Sequence, residues 1–145
     1  MRYADRLSEI ARRRGRDESG AAAVEFALIA PLLLMMLFGI VCFGYFFLVA
    51  HSVQQLAAET ARTSIRGITA AERELVAQQF VAGAAMDFPF LRQDAIHAVI
   101  DVTSGSEDAI LVEITYDLTG SIVGIADGFL GFNISSITAS SYVTY

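Results

Sequence analysis

Residues 20–49 read GAAAVEFALIAPLLLMMLFGIVCFGYFFLV, and positions 26–49 of that stretch are 24 consecutive residues without a charge. A helix needs about 20 apolar residues to cross a bilayer, so this run is long enough to span one. A secretory signal has a shorter apolar core, about 7–15 residues, and small residues three and one before its cut. Here the run is too long, and Leu48-Val49-Ala50 puts a bulky leucine where a small residue belongs. The stretch therefore predicts one membrane-spanning helix near the N-terminus.

Charge on either side of the run predicts its orientation. Residues 1–20 carry six arginines (Arg2, Arg6, Arg12, Arg13, Arg14, Arg16) against Asp5, Glu9, Asp17 and Glu18, a balance of +2. Residues 21–145 carry four arginines, no lysine and twelve acids, a balance of −8. Basic residues concentrate on the cytoplasmic side of a span, so the N-terminus is expected in the cytoplasm and the C-terminal part outside it. An acidic body of this kind excludes nucleic acid as a partner, because binding it rests on neutralising phosphates with Lys and Arg.

The whole chain is 145 residues and 54% hydrophobic, with a mean hydropathy of +0.52. That is too apolar for an ordinary soluble domain, while the second half is too polar for several spans. One span plus one small domain fits. Cys42 is the only cysteine and lies inside the apolar run, so it forms neither an intrachain disulfide nor a metal site and reads as a small apolar filler.

Two residues do not suit a plain anchor. Pro31 lacks the N–H that would bond to the Ala27 carbonyl, which predicts a kink that neighbouring helices can tolerate. Glu25 sits at the edge of the apolar run, where burying a carboxylate costs about 2.5–3.5 kcal/mol, so it should seek a cation. A carboxylate near a helix N-terminus is also favoured by the helix dipole, by about 0.3–1 kcal/mol, and that simpler account stays open for Glu25 taken alone.

Taken in register, a basic leader ending at Gly20, then Ala21-Ala22-Ala23-Val24-Glu25-Phe26 and an apolar helix, resemble the cleavage site of type IV prepilin-like proteins. The following residues narrow the resemblance: Ala30-Pro31, the leucines 32–34, Gly39, Phe43-Gly44, then Ala57-Ala58 and Ala61-Arg62 are similar to the TadE-like family of the Tad (tight adherence, Flp) pilus machinery. Relatives often carry Glu before the Phe-Gly pair and Arg after it, where this chain has Cys42 and Tyr45. The resemblance implies that a prepilin peptidase cuts between Gly20 and Ala21. It implies that Glu25, with Phe26 beside it, pairs with the new Ala21 amine of its own or a neighbouring subunit. It also implies a minor pseudopilin, since a major pilin of this system has little beyond its helix. The partners it implies are the prepilin peptidase, other pilins and pseudopilins, the Tad inner-membrane platform proteins and the bilayer.

Beyond the span, Val53, Leu56, Ala57, Thr60, Ala61, Ser64, Ile65 and Ile68 recur at spacings of three and four, which continues the helix. Gly67 is a candidate stop, and Thr69-Ala70-Ala71-Glu72 reads as a capping box for a second helix to about Ala85. Leu75, Gln79, Ala82 and Met86, beside Val76, Phe80 and Gly83, are expected on its packed side. Pro89 ends it. Strands are expected at 95–103 and 109–118, joined by the polar loop 104–108, and at 134–145. Their core faces are Ile96, Ala98, Ile100 and Val102; Ile110, Val112, Ile114, Tyr116 and Leu118; and Ile137, Ala139, Val143 and Tyr145. The apolar, Gly-rich residues 120–132 predict a turn of helix between the last two strands.

The fold class expected is therefore α+β: a long transmembrane helix, a second helix and an antiparallel sheet of about three strands. Residues 1–20 form the leader, 21–68 the span and its extension, and 69–145 a small extracytoplasmic domain. An enzyme is not expected. His51 and His97 have no Asp or Ser near them in an activating pattern, and Asp101, Glu107, Asp108, Glu113 and Asp117 do not match a calcium-loop spacing. Nothing calls for a catalytic residue, metal, cofactor or small-molecule substrate. The alternatives to a pilus subunit are an unprocessed, membrane-anchored periplasmic domain that binds a protein partner and, more distantly, a tethered enzyme.

Overall fold

The computed structural model describes residues 18–103, 108–131 and 133–145. The leader arginines, the hairpin residues 104–107 and Phe132 lie outside the described residues. The architecture is α+β: a long apolar helix, then shorter helices and a three-stranded antiparallel sheet. Helix α1 spans Glu18–Ser64 and continues through Pro31. Helix α2 spans Ala70–Ala82, α3 is the short Ala84–Asp87, and α4 spans Ile122–Leu130. The strands are β1 (Ile96–Thr103), β2 (Ala109–Asp117) and β3 (Ser136–Thr144). By internal contacts the chain divides into two compact units, with the boundary between Ile40 and Val41.

In the second unit, Val41–Tyr145, β2 is the central strand and pairs antiparallel with β1 and β3. Its alternation sorts the two faces: Ile110, Val112, Ile114 and Tyr116 are buried, whereas Leu111 and Glu113 between them are exposed. The buried face joins Val49, Val53, Leu56, Ala57 and Ala61 of α1 in one core, which also takes in Leu118, Val123, Leu91 and Phe88. Ser52, Thr60 and Ser64 lie on the same helical stripe and are buried too. Each hydroxyl donates back to a carbonyl of its own helix: Ser52 to Leu48 at 2.9 Å, Thr60 to Leu56 at 2.7 Å, Ser64 to Ala61 at 2.7 Å. That satisfies groups whose burial without a partner would cost free energy.

Helix α1 ends at Ser64, one turn short of the stripe read from the sequence, so Ile65 is partly exposed and Ile68 stands 86% exposed. The turn that follows is forced by close approach. A Cβ on Gly67 would lie 2.6 Å from the Arg73 nitrogen and 2.8 Å from the Glu72 carbonyl carbon, both backbone atoms. Only glycine lets the chain pass the start of α2 at that distance. Thr69 and Glu72 form the expected capping box, with the Thr69 hydroxyl accepting from the Glu72 N–H at 3.2 Å and the Glu72 carboxylate accepting from the Thr69 N–H at 3.2 Å.

The packed face of α2 is rotated from the one read in the sequence. Ala77, Val81 and Ala84 are buried, with Phe88 beyond them, whereas Leu75 and Met86 are exposed. Leu75 and Met86 drew the reading toward a side that also carries the exposed Glu74, Gln78 and Gln79, and packing against β1 chose the side with Ala77 and Val81. The helix breaks at Gly83, whose N–H donates to Gln79 and Phe80. Gln93 bridges the break: its amide donates to the Val81 carbonyl at 3.0 Å and accepts from the Ala85 N–H at 3.2 Å.

Candidate anchoring and assembly site

The residues singled out by the sequence all lie on α1. Gly20 and Ala21 sit in its first turns, where N–H groups have no intrahelical partner and the backbone frays most readily. The space a Cβ of Gly20 would enter is open, with nothing within 4 Å. Gly20 is thus helical here, and a protease that reads an extended backbone must first unwind this turn. Glycine eases that, because it is a poor helix former by about 1 kcal/mol relative to alanine.

Glu25 is exposed one turn further on and makes no ion pair or hydrogen bond with another described residue. Phe26 beside it is exposed as well, as are Leu28, Ile29, the leucines 32–34, Met35, Met36, Leu37 and Phe38. These residues cover the whole circumference of the helix, not one stripe. A helix that is apolar all round must be covered by lipid or by other protein. The candidate span Gly20–Ser64 has a mean hydropathy of 2.7 in its most apolar window, of which only 6% is buried. The core helix of a soluble protein would be mostly buried; this one is consistent with a single-pass membrane anchor.

A set of residues assigned to the span by sequence has a second contact. Cys42 and Val49 are buried, and Tyr45 and Phe46 pack against the core of the second unit. The spacing of Cys42, Tyr45, Phe46, Val49 and Val53 is that of one helical face. It could be seen in the sequence only in retrospect, since every neighbour in the run is also apolar.

The loop after α3 is tied to β2 close to Tyr45. The Arg92 N–H donates to the Tyr116 hydroxyl at 3.3 Å, and its guanidinium donates to the Thr119 carbonyl at 3.1 Å. Both Arg92 and Tyr116 are electrostatic neighbours of Tyr45. At the other end of the sheet, the Arg73 guanidinium lies 3.6 Å from the ring centre of Tyr145 and donates through Nε to the Gly67 carbonyl at 2.9 Å. The sheet therefore runs alongside α1, with its Tyr116 end near Tyr45 and its Ala109 end near the close of the helix.

The titratable groups weighed for catalysis are dispersed. His51 is exposed on α1, and His97 is exposed on β1 opposite Thr115. Asp101 and Glu113 are exposed on the outer face of the sheet, and Asp117 accepts from the Thr119 N–H at 2.7 Å. Among the described residues no group of three or more His, Cys, Asp or Glu could hold a metal ion.

Comparison with known proteins agrees with the helix. Residues 20–62 match the family model described as TadE-like protein, a segment that holds Gly20, Glu25, Pro31 and the start of the buried stripe. No curated protein and no solved structure matches the chain.

Proposed function

With the TadE-like family present at residues 20–62, which suggests a protein associated with the Tad pilus, we propose that this chain is a minor pseudopilin-like assembly subunit. A prepilin peptidase removes residues 1–20, and the mature chain begins at Ala21. The observation that carries this reading is a helix that, over residues 21–38, is apolar on every side except for one carboxylate, Glu25, exposed and unpaired among the described residues five positions after Gly20.

The chemistry follows from that carboxylate. Cleavage creates an α-amine at Ala21, a cation where none existed. In lipid, Glu25 carries an insertion cost of about 2.5–3.5 kcal/mol unless it meets a positive charge. The Ala21 amine of a neighbouring helix supplies it and fixes the axial register of one subunit against the next. Phe26 and the leucines 32–34 then bury against that neighbour. Pro31 frees the Ala27 carbonyl and lets the helix bend within the bundle. Other pilins and the Tad platform proteins in the inner membrane are the partners, and the domain lies outside the cytoplasm.

The test compares wild type, Glu25→Ala and Glu25→Gln by crosslinking of the mature protein to pilus components and by surface pili. Both variants should insert and be cleaved, yet lose crosslinking and piliation. If Glu25 only anchors, its removal leaves assembly unchanged and eases insertion. Wild-type crosslinking and pili in both variants would overturn the pairing role.

A further inference from the structure

We infer that the end of the domain nearest Tyr45 lies in the outer headgroup layer of the bilayer, with Phe90, Ile122 and Ile125 as its lipid contacts. This rests on the reading of α1 as a membrane anchor. Counting from Phe26, about 20 residues of helix exhaust the hydrocarbon core, which brings the chain to Tyr45. Tyr45, Phe46 and Val49 already pack against the domain core. There is no spacer between membrane and domain, so whatever surrounds Tyr45 meets the headgroups.

What surrounds it is suited to that layer. The Phe88–Arg92 turn and the 117–121 turn are held together there by Arg92, whose guanidinium reaches the Thr119 carbonyl and stands 4.0 Å from the Cβ position of Gly120. Phe90 projects from the first turn and is 51% exposed. Ile122 and Ile125 follow the second turn on α4 and are 43% and 57% exposed, while Val123 and Ala126 face inward. The core-facing positions of α4 are thus filled, and its outward isoleucines stand exposed among the described residues. Phe43 and Phe47, two residues to either side of Tyr45 on α1, are exposed as well.

The charges there select the lipid. Asp94 and Asp117 flank Arg92 electrostatically. Asp117 caps Thr119, and the Asp127 carboxylate accepts from the Ile134 N–H at 3.2 Å. One arginine among acids suits a zwitterionic headgroup and disfavours an anionic one. Apolar insertion, with Arg92 at phosphate level, supplies the attraction.

The chain contains no tryptophan, so single-Trp variants report depth without background. The full chain carrying Phe90→Trp, Ile125→Trp, Phe38→Trp or Tyr142→Trp is reconstituted into phosphatidylcholine vesicles with bromines on the upper acyl chain. Phe38→Trp lies in the span, and Tyr142 is on the exposed outer face of the sheet. Phe90→Trp and Ile125→Trp should lose fluorescence to the bromines and shift to the blue, while Tyr142→Trp is unaffected. The inference is overturned if both match Tyr142→Trp while Phe38→Trp is quenched; the anchor reading then survives. If Phe38→Trp is also unquenched, the anchor reading fails with it. Blue-shifted Phe90→Trp emission that ignores bromine and tracks protein concentration would assign the edge to a second copy and overturn the lipid contact.

Discussion

The two ends of helix α1 have the same backbone and opposite surroundings. Residues 21–38 expose apolar side chains all round, whereas from Cys42 to Ser64 one face is buried and the other carries exposed His51, Gln54, Gln55 and Arg62. The second stretch is an amphipathic helix whose apolar stripe completes a β-sheet core. The first has no such partner, and its apolar surface is useful only in lipid or against other helices. One element is thus apolar and exposed along its first part and a member of the domain core along its second, and the change falls at Cys42, inside the charge-free run.

Truncating the buried side should damage the domain, and truncating the exposed side should not. Leu56 is fully buried, so Leu56→Ala should cost about 2–5 kcal/mol of domain stability. Leu33→Ala should leave it unchanged. Urea unfolding of the detergent-solubilised protein, followed by circular dichroism, checks both; equal effects would erase the contrast between the two stretches. Gly67→Ala comes next, because the added methyl must displace backbone and not a pliable side chain. About 1–3 kcal/mol is expected in the same assay. Thr69→Ala removes the cap of α2 and should cost about 1 kcal/mol, while Leu75→Ala on the exposed side of that helix costs less.

The smallest effect concerns pH. Hydrogen bonds from Thr119, helped by Arg92 and His97, hold the Asp117 carboxyl below the usual carboxylate range. A carboxyl lowered in the folded state stabilises it above the ordinary pKa and loses that contribution as the pH falls through the folded value. Wild type should therefore lose stability with acidification in that window slightly more steeply than Asp117→Asn. Parallel stability curves for the two proteins would remove Asp117 from the account.

The features legible in the sequence were those with local contrast. The β2 alternation separates Ile110, Val112, Ile114 and Tyr116 from Leu111 and Glu113, and the Thr69 capping box is complete within four residues. Helix α4, Ile122–Leu130, also fell inside the apolar segment expected to be helical. The face of α2 was misread because the apolar Leu75 and Met86 fall on the side that also carries Glu74, Gln78 and Gln79, and tertiary packing left that side exposed. The stripe of Cys42, Tyr45, Phe46 and Val49 was hidden because every neighbour in the charge-free run is also apolar. Gly20 and Glu25 stand out in the sequence as a glycine and a carboxylate at the edge of an apolar run, and both fall within the segment that matches the TadE-like family model. The Gln93 bridge and the Arg92 tie depend on contacts across 8 to 27 residues, which no local pattern encodes.

The account depends most on the claim that the exposed stretch of α1 enters an assembly after processing. The direct measurement is N-terminal sequencing, with intact mass, of the protein extracted from membranes of a strain that contains a prepilin peptidase. A chain beginning at Ala21, with Gly20→Ala slowing its appearance and a bulkier residue at position 20 blocking it, is the predicted result. A chain that still begins at Met1 in that strain would contradict it and leave an unprocessed membrane-anchored domain.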